Sequence, residues 1–186
     1  SDGHLHLNRG ALTEKGMNYL VERIRAMKEV CGEEVGLALD CGPGMMVQDA
    51  KRLAQAVEPL NVAWLEEMIT GDYIPYVQAD LYREVTQSTT TPVHTGEQIY
   101  LRQNFTDLIE KRAVDIVGPD PCDIGGIAEL KWVAEYADLH GILMAPHGVT
   151  INSKGDIFVG EVAWTHTRSY PNPPDEIRTL QKLTKK

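Results

Sequence analysis

Short apolar runs alternate with stretches of helical periodicity along most of the chain. From Thr13, the apolar positions Leu20, Ile24, Met27 and Cys31 recur at helical spacing. Thr13 is placed to cap this helix and Gly32 to end it. VGLALD (35–40) follows, apolar but without helical amphipathicity, as expected of a strand buried on both faces. A Gly-Pro-Gly turn leads to a predicted helix over 46–58, stopped before Pro59. The cycle then repeats. Strands are predicted at VAWLE (62–66), PVHTG (92–96), VDIVG (114–118) and ILMAP (142–146). Between them fall a weaker helix over 73–86, a short one over 104–111 and a stronger one over 126–140. The last carries Ile127, Leu130, Val133, Ala134 and Ala137 on one face.

Five strands alternating with helices predict an α/β fold with a parallel sheet. Each apolar run delivers a polar residue at its C-terminal end: Asp40, Glu66, Glu97, Asp120 and His147. A parallel barrel builds its active site from that end of its strands. Three carboxylates converging there can hold a hard divalent cation through oxygen. A His and an Asp beside the cation can move a proton. Residues 1–149 are therefore expected to form a partial barrel domain. Residues 150–186 are expected to form a divergent segment, with DIFVGEVAW as a strand after an SKG turn, then a Pro-rich stretch and a basic, weakly helical tail.

With 186 residues the chain can build one domain with a real core. A complete eight-stranded α/β barrel needs ~250 residues, so a (β/α)8-type barrel truncated at both ends is expected. The net charge of -9 and the absence of a basic stripe argue against nucleic acid as a partner. Three cysteines (Cys31, Cys41, Cys122), with no CxxC, favour reduced thiols and a cytoplasmic setting. No apolar run is long enough to span a membrane, and no signal peptide is visible.

LALDCGPG, WLEEM, TGEQIY, VGPDPCDIGG and APHG occur in that order, at strand-plus-helix spacing, over residues 12–149. Together they resemble the enolase superfamily, in particular its mandelate racemase branch and the galactonate-type acid-sugar dehydratases within it. The resemblance implies that three successive strands each supply one carboxylate to Mg2+, here Asp40, Glu66 and Glu97. Mn2+ accepts the same oxygen ligands. Of the Glu66–Glu67 pair the family pattern selects the first, and strand alternation turns Glu67 to the other face. The family's Asp–His dyad matches Asp120 and His147, with the carboxylate orienting the imidazole. The implied reaction is a lyase reaction on a small carboxylate, an acid sugar or related hydroxy acid. The proton α to the carboxylate is abstracted and a β-hydroxyl is lost; racemisation is the less favoured outcome. Two alternatives stand beside it: a non-catalytic metal-binding remnant, and a metal-dependent hydrolase with His147 as base.

The chain departs from the family pattern in several places. No KxK precedes Asp40, and Gly42 stands where galactonate-type enzymes carry a His. Neither the family's capping domain nor its eighth strand is recognisable. Residues 152–186 instead resemble the last blade of an NHL-type β-propeller, and Glu161 falls there near an eighth-strand position. Asp115 reads as structural, Asp123 as a cap for the following helix, and His94 and Trp64 as core. His4 and His6 form an HxH pair in a polar terminus, a weak zinc signal, and His166 has no matching role. An open five-stranded parallel sheet exposes its edges, so self-association into a homo-oligomer is expected.

Overall fold

The computed structural model describes residues 11–42, 44–69 and 79–146, together with strands at 149–151, 157–160 and 180–183. Thr13 opens the first helix, α1 (Glu14–Cys31), by accepting the N–H of Gly16 on its side chain at 3.0 Å. Gly32 closes it at φ 70°, donating its N–H to the Lys28 carbonyl at 2.9 Å. Both boundaries agree with the sequence. The buried face is shifted, however. Met17 and Ile24 face the core, whereas Met27 is exposed.

The strands are β1 (Leu39–Asp40), β2 (Leu65–Glu66), β3 (Val93–Thr95), β4 (Ile116–Val117) and β5 (Leu143–Met144). Each lies within the apolar run that predicted it but is only two or three residues long. They form one parallel sheet in the order β1-β2-β3-β4-β5. Helices α2 (Val47–Val57), α3 (Ala79–Thr86), α4 (Thr106–Glu110) and α5 (Ile127–Leu139) occupy the connections, with short 3-10 turns at Glu58–Leu60 and Arg102–Phe105. This is the parallel α/β architecture expected, built of barrel-type strand–helix units.

Leu53, Val57, Leu65, Tyr82, Val85, Val93, Phe105, Leu108, Ile109 and Val117 form the centre of the core between sheet and helices. The start of the described chain is tied to α2 by Asp49, which accepts the Leu12 N–H at 2.7 Å and pairs with Arg52 at 2.9 Å. On α5 the buried positions are Val133 and Ala137; Ile127 is 63% exposed. The apolar face expected there is thus narrower. Gly126 occupies the N-cap position of α5.

The chain divides into two compact units, Ser1–Ala145 and Pro146–Lys186. In the second, β6 (Val149–Ile151), β7 (Ile157–Gly160) and β8 (Leu180–Leu183) form an antiparallel sheet. The strand expected within DIFVGEVAW is present as β7. The tail is not helical at 180–183, where it pairs with β7. Four residues of mixed polarity carry too few turns to separate helix from strand by period.

Candidate metal centre and active site

The register of the parallel sheet places Asp40, Glu66, His94, Ile116 and Leu143 in one row across the five strands. Two of the three expected ligands, Asp40 and Glu66, are therefore direct neighbours at the ends of β1 and β2. Glu97 follows β3 by two residues, just past Gly96. Asp40 is exposed, and its carboxylate accepts the N–H of Gly42 at 3.0 Å, closing the turn after β1. Asp120 does the same after β4, accepting the N–H of Cys122 at 2.6 Å. Both acids are fixed by their own loops.

Glu66 is half-buried and lies between two rings. The indole Nε1–H of Trp64 donates to Oε2 at 2.9 Å, and His94 Nδ1 lies 3.3 Å from Oε1. The Trp64 and His94 ring centroids are 5.9 Å apart. Trp64 is thus more than core filling: it holds one oxygen of an expected ligand.

Glu67 takes the other direction. The chain turns left-handed there (φ 48°) and the side chain is only 2% exposed. It accepts the Gly96 N–H at 2.7 Å and the Thr95 hydroxyl at 2.9 Å, while the Tyr82 hydroxyl lies 3.0 Å from Thr95 Oγ1. Burial pushes its carboxyl up to about 7, against these hydrogen bonds, which favour the charged form; the Glu97 charge adds to the rise. The two adjacent acids thus serve different environments.

His94 is 2% exposed, and its Nε2 stands 3.2 Å from the Ala145 carbonyl at the end of β5. A carbonyl only accepts, so Nε2 carries a proton. Nδ1 has no aligned hydrogen bond, although it lies within ion-pair distance of Glu66. When both ring nitrogens carry a proton the contact is a charge attraction with poor hydrogen-bond alignment. Burial opposes the charged ring, but Glu66, the Ala145 carbonyl and the Glu67 charge outweigh it and raise the pKa of His94 above its ordinary value. His94 is thus buried on a sheet strand, as a core or barrel residue would be, but its Nδ1 is left without an aligned hydrogen bond. Its signal was a histidine inside an otherwise apolar strand, two residues before a glycine and three before an acid.

Among the described residues, no group of three His, Cys, Asp or Glu side chains is close enough together to hold a metal ion. The structure pairs Asp40 with Glu66 by register but does not draw Glu97 into one cluster with them. The donor chemistry nevertheless fits a hard cation, because all three groups are carboxylates at the ends of three adjacent strands. The nearby thiol does not compete: burial, reinforced by Asp40, pushes Cys41 up to about 12 and keeps it protonated. Asp115 is structural, accepting the Val93 N–H at 2.9 Å. His147, Glu161, His166, His4 and His6 lie outside the described residues.

A family model for enolase C-terminal domain-like proteins matches residues 7–167. The chain belongs to that family. The match continues into the segment likened above to a propeller blade, and the comparisons lend that likeness no support. Among curated enolase-superfamily relatives, D-xylonate dehydratase of Haloferax volcanii is 37% identical over 134 residues, covering 72% of this chain and 31% of that protein. A mandelate racemase/muconate lactonizing enzyme-like protein from Rubrobacter xylanophilus has a similar structure, with TM-score 0.73 and 36% identity. That match covers 81% of this chain and 37% of the other. L-talarate dehydratase from a Polaromonas species, solved with Mg and L-glucarate, matches with TM-score 0.65 and 26% identity, covering 75% of this chain and 39% of its own. The chain spans about a third of the length of the curated relatives it matches. Among the described residues, no helix is long and apolar enough to cross a membrane.

Proposed function

We propose that this chain carries the catalytic end of an acid-sugar dehydratase, a Mg2+-dependent lyase. Asp40, Glu66 and Glu97 would hold the cation, with Mn2+ as a substitute. His147 would serve as the proton-transferring group and Asp120 as the residue that orients it. The observation that carries this reading is the direct pairing of Asp40 with Glu66 at adjacent strand ends, with Glu97 after the next strand, in a member of this family.

The cation, when bound, supplies positive charge beside the substrate carboxylate and so eases loss of the neighbouring proton. The chain's own groups do the rest. Trp64 and the loop N–H of Gly42 orient two of the carboxylates. His147 accepts the proton α to the substrate carboxylate. The β-hydroxyl leaves, taking up a proton as water, and the remaining enol tautomerises to a 2-keto-3-deoxy acid. The substrate is a small hydroxy carboxylate, and reduced cysteines suit a cytoplasmic setting.

Calorimetric titration of Mg2+ into the protein and into Glu97→Gln tests the metal site. One-site binding that is lost in the variant is expected. Incubation with a panel of aldonates and aldarates, read by 2-keto acid formation, tests the activity. The second reading, a metal-binding remnant without catalysis, is favoured by the separation of the three acids among the described residues. Binding of Mg2+ without turnover of any panel member would select it.

A further inference from the structure

The imidazole of His94 crosses the interior of the sheet. It starts on β3, reaches Glu66 on β2 with one nitrogen at 3.3 Å, and reaches the backbone of β5 with the other at 3.2 Å. It passes over β4 at the residue after that strand, Gly118. A Cβ there would stand 2.1 Å from Nε2 and 2.3 Å from Cε1. The ring is thus held on three sides by neighbouring strands. Glu66 is held in turn from its second oxygen by Trp64, whose ring lies against His94.

From this we propose that His94 is a positioning residue, a brace that fixes the carboxylate of Glu66 by bearing on the end of β5. The Trp64 N–H on Oε2 and the His94 ring against Oε1 hold the carboxylate at both of its oxygens. Groups that hold a ligating side chain from outside typically change metal affinity by about 10- to 100-fold when lost. The metal part of the inference rests on the proposed function; the bracing of Glu66 does not.

The test uses the full chain with 15N-labelled tryptophan. Its three tryptophans give three indole signals, and Trp64→Phe identifies the one bound to Glu66. His94→Ala, His94→Asn and His94→Gln are compared without metal and then titrated with Mg2+. Asn places an amide near the Nδ1 position, towards Glu66. Gln places one near Nε2, towards Ala145. The expected result is a displaced Trp64 signal in the Ala and Gln variants, partly restored in Asn. Mg2+ affinity should fall by about 10- to 100-fold in Ala and Gln, with Asn intermediate. A merely structural role would lower thermal stability without separating Asn from Gln.

An unmoved Trp64 signal in all three variants overturns the brace, whatever Mg2+ does. A moved signal with unchanged Mg2+ affinity also overturns it as a device for the metal. If the unmutated protein binds no Mg2+, the metal centre fails. The brace is then decided by the indole signal alone, which supports it if displaced in Ala and restored in Asn.

Discussion

Gly118 and His94 occupy one space. A methyl group on Gly118 would meet His94 Nε2 at 2.1 Å and the Ala145 carbonyl at 2.9 Å. The glycine after β4 is therefore a condition for a histidine on β3. Gly118→Ala is expected to destabilise the protein by about 1–3 kcal/mol, the range for overpacked cores. In a His94→Ala background the two closest of these contacts are gone, so the same change should do less harm. A double-mutant cycle from denaturant unfolding measures this coupling. Strict additivity of the two substitutions would show that the ring does not fill that space.

Glu67 makes stability depend on pH in a defined direction. Its carboxyl titrates near 7 in the folded protein against an ordinary value of 4.5. The fold thus keeps a proton that the unfolded chain releases. Its contribution is complete below 4.5, fades as the pH rises, and is lost above about 7. The span corresponds to roughly 3 kcal/mol. Glu67→Gln keeps an oxygen for the Thr95 hydroxyl and the Gly96 N–H but cannot ionise. Unfolding in a chelator-containing buffer from pH 4 to 8 should show a shallower decline for the variant. Parallel curves would rule out Glu67 as the group responsible.

The sequence displayed the elements whose signals are local. Thr13 and Gly32 bounded α1 to the residue because capping is decided within one turn. The acids ending each apolar run marked the strand ends, and the adjacent pair Glu66–Glu67 divided between two environments. Non-local relationships were hidden. Nothing around position 94 discloses that its ring faces Glu66, twenty-eight residues earlier, and the carbonyl of Ala145, fifty-one residues later. Likewise, β8 was misread because its pairing with β7 lies across some twenty intervening residues. Ile127 on α5 fitted the helical stripe but sits at the first turn, where the core does not reach it.

Thr13 is expected to matter beyond its size. Its hydroxyl satisfies one of the N–H groups that the first turn of α1 leaves without a helical partner. Thr13→Ala should lower stability by about 1 kcal/mol, while Thr13→Ser should be close to neutral. Thermal denaturation of the two variants checks this. Equal loss in both would point to the methyl group, not the hydroxyl.

The three cysteines should react very unequally with an alkylating reagent. Cys122 is exposed, whereas burial and the Asp40 charge push Cys41 up to about 12. Alkylation proceeds through the thiolate, so at pH 8 Cys41 should remain unmodified in folded protein while Cys122 is consumed. Peptide mass spectrometry after a timed iodoacetamide pulse measures both. Bound Mg2+ would place positive charge near Asp40 and offset its influence on the thiol. A Cys41 that alkylates as fast as Cys122 without denaturant would contradict the environment described.

The edges of the five-stranded sheet lead to a prediction about assembly. Among the described residues, β1 and β5 each pair on one side only. Leu143 on β5 is 62% exposed and Leu139 at the end of α5 is 80% exposed, so apolar surface lies beside an open ladder. Unpaired strand edges of this kind recruit other chains. The protein is expected to self-associate, with mass by light scattering rising with concentration. Leu143→Lys should weaken the association, because a charge on an edge strand opposes pairing. The substitution should leave the unfolding midpoint nearly unchanged at dilutions where the protein is monomeric, since the side chain is already mostly in water. A constant monomer mass at all concentrations would show that the edge is covered within the chain itself.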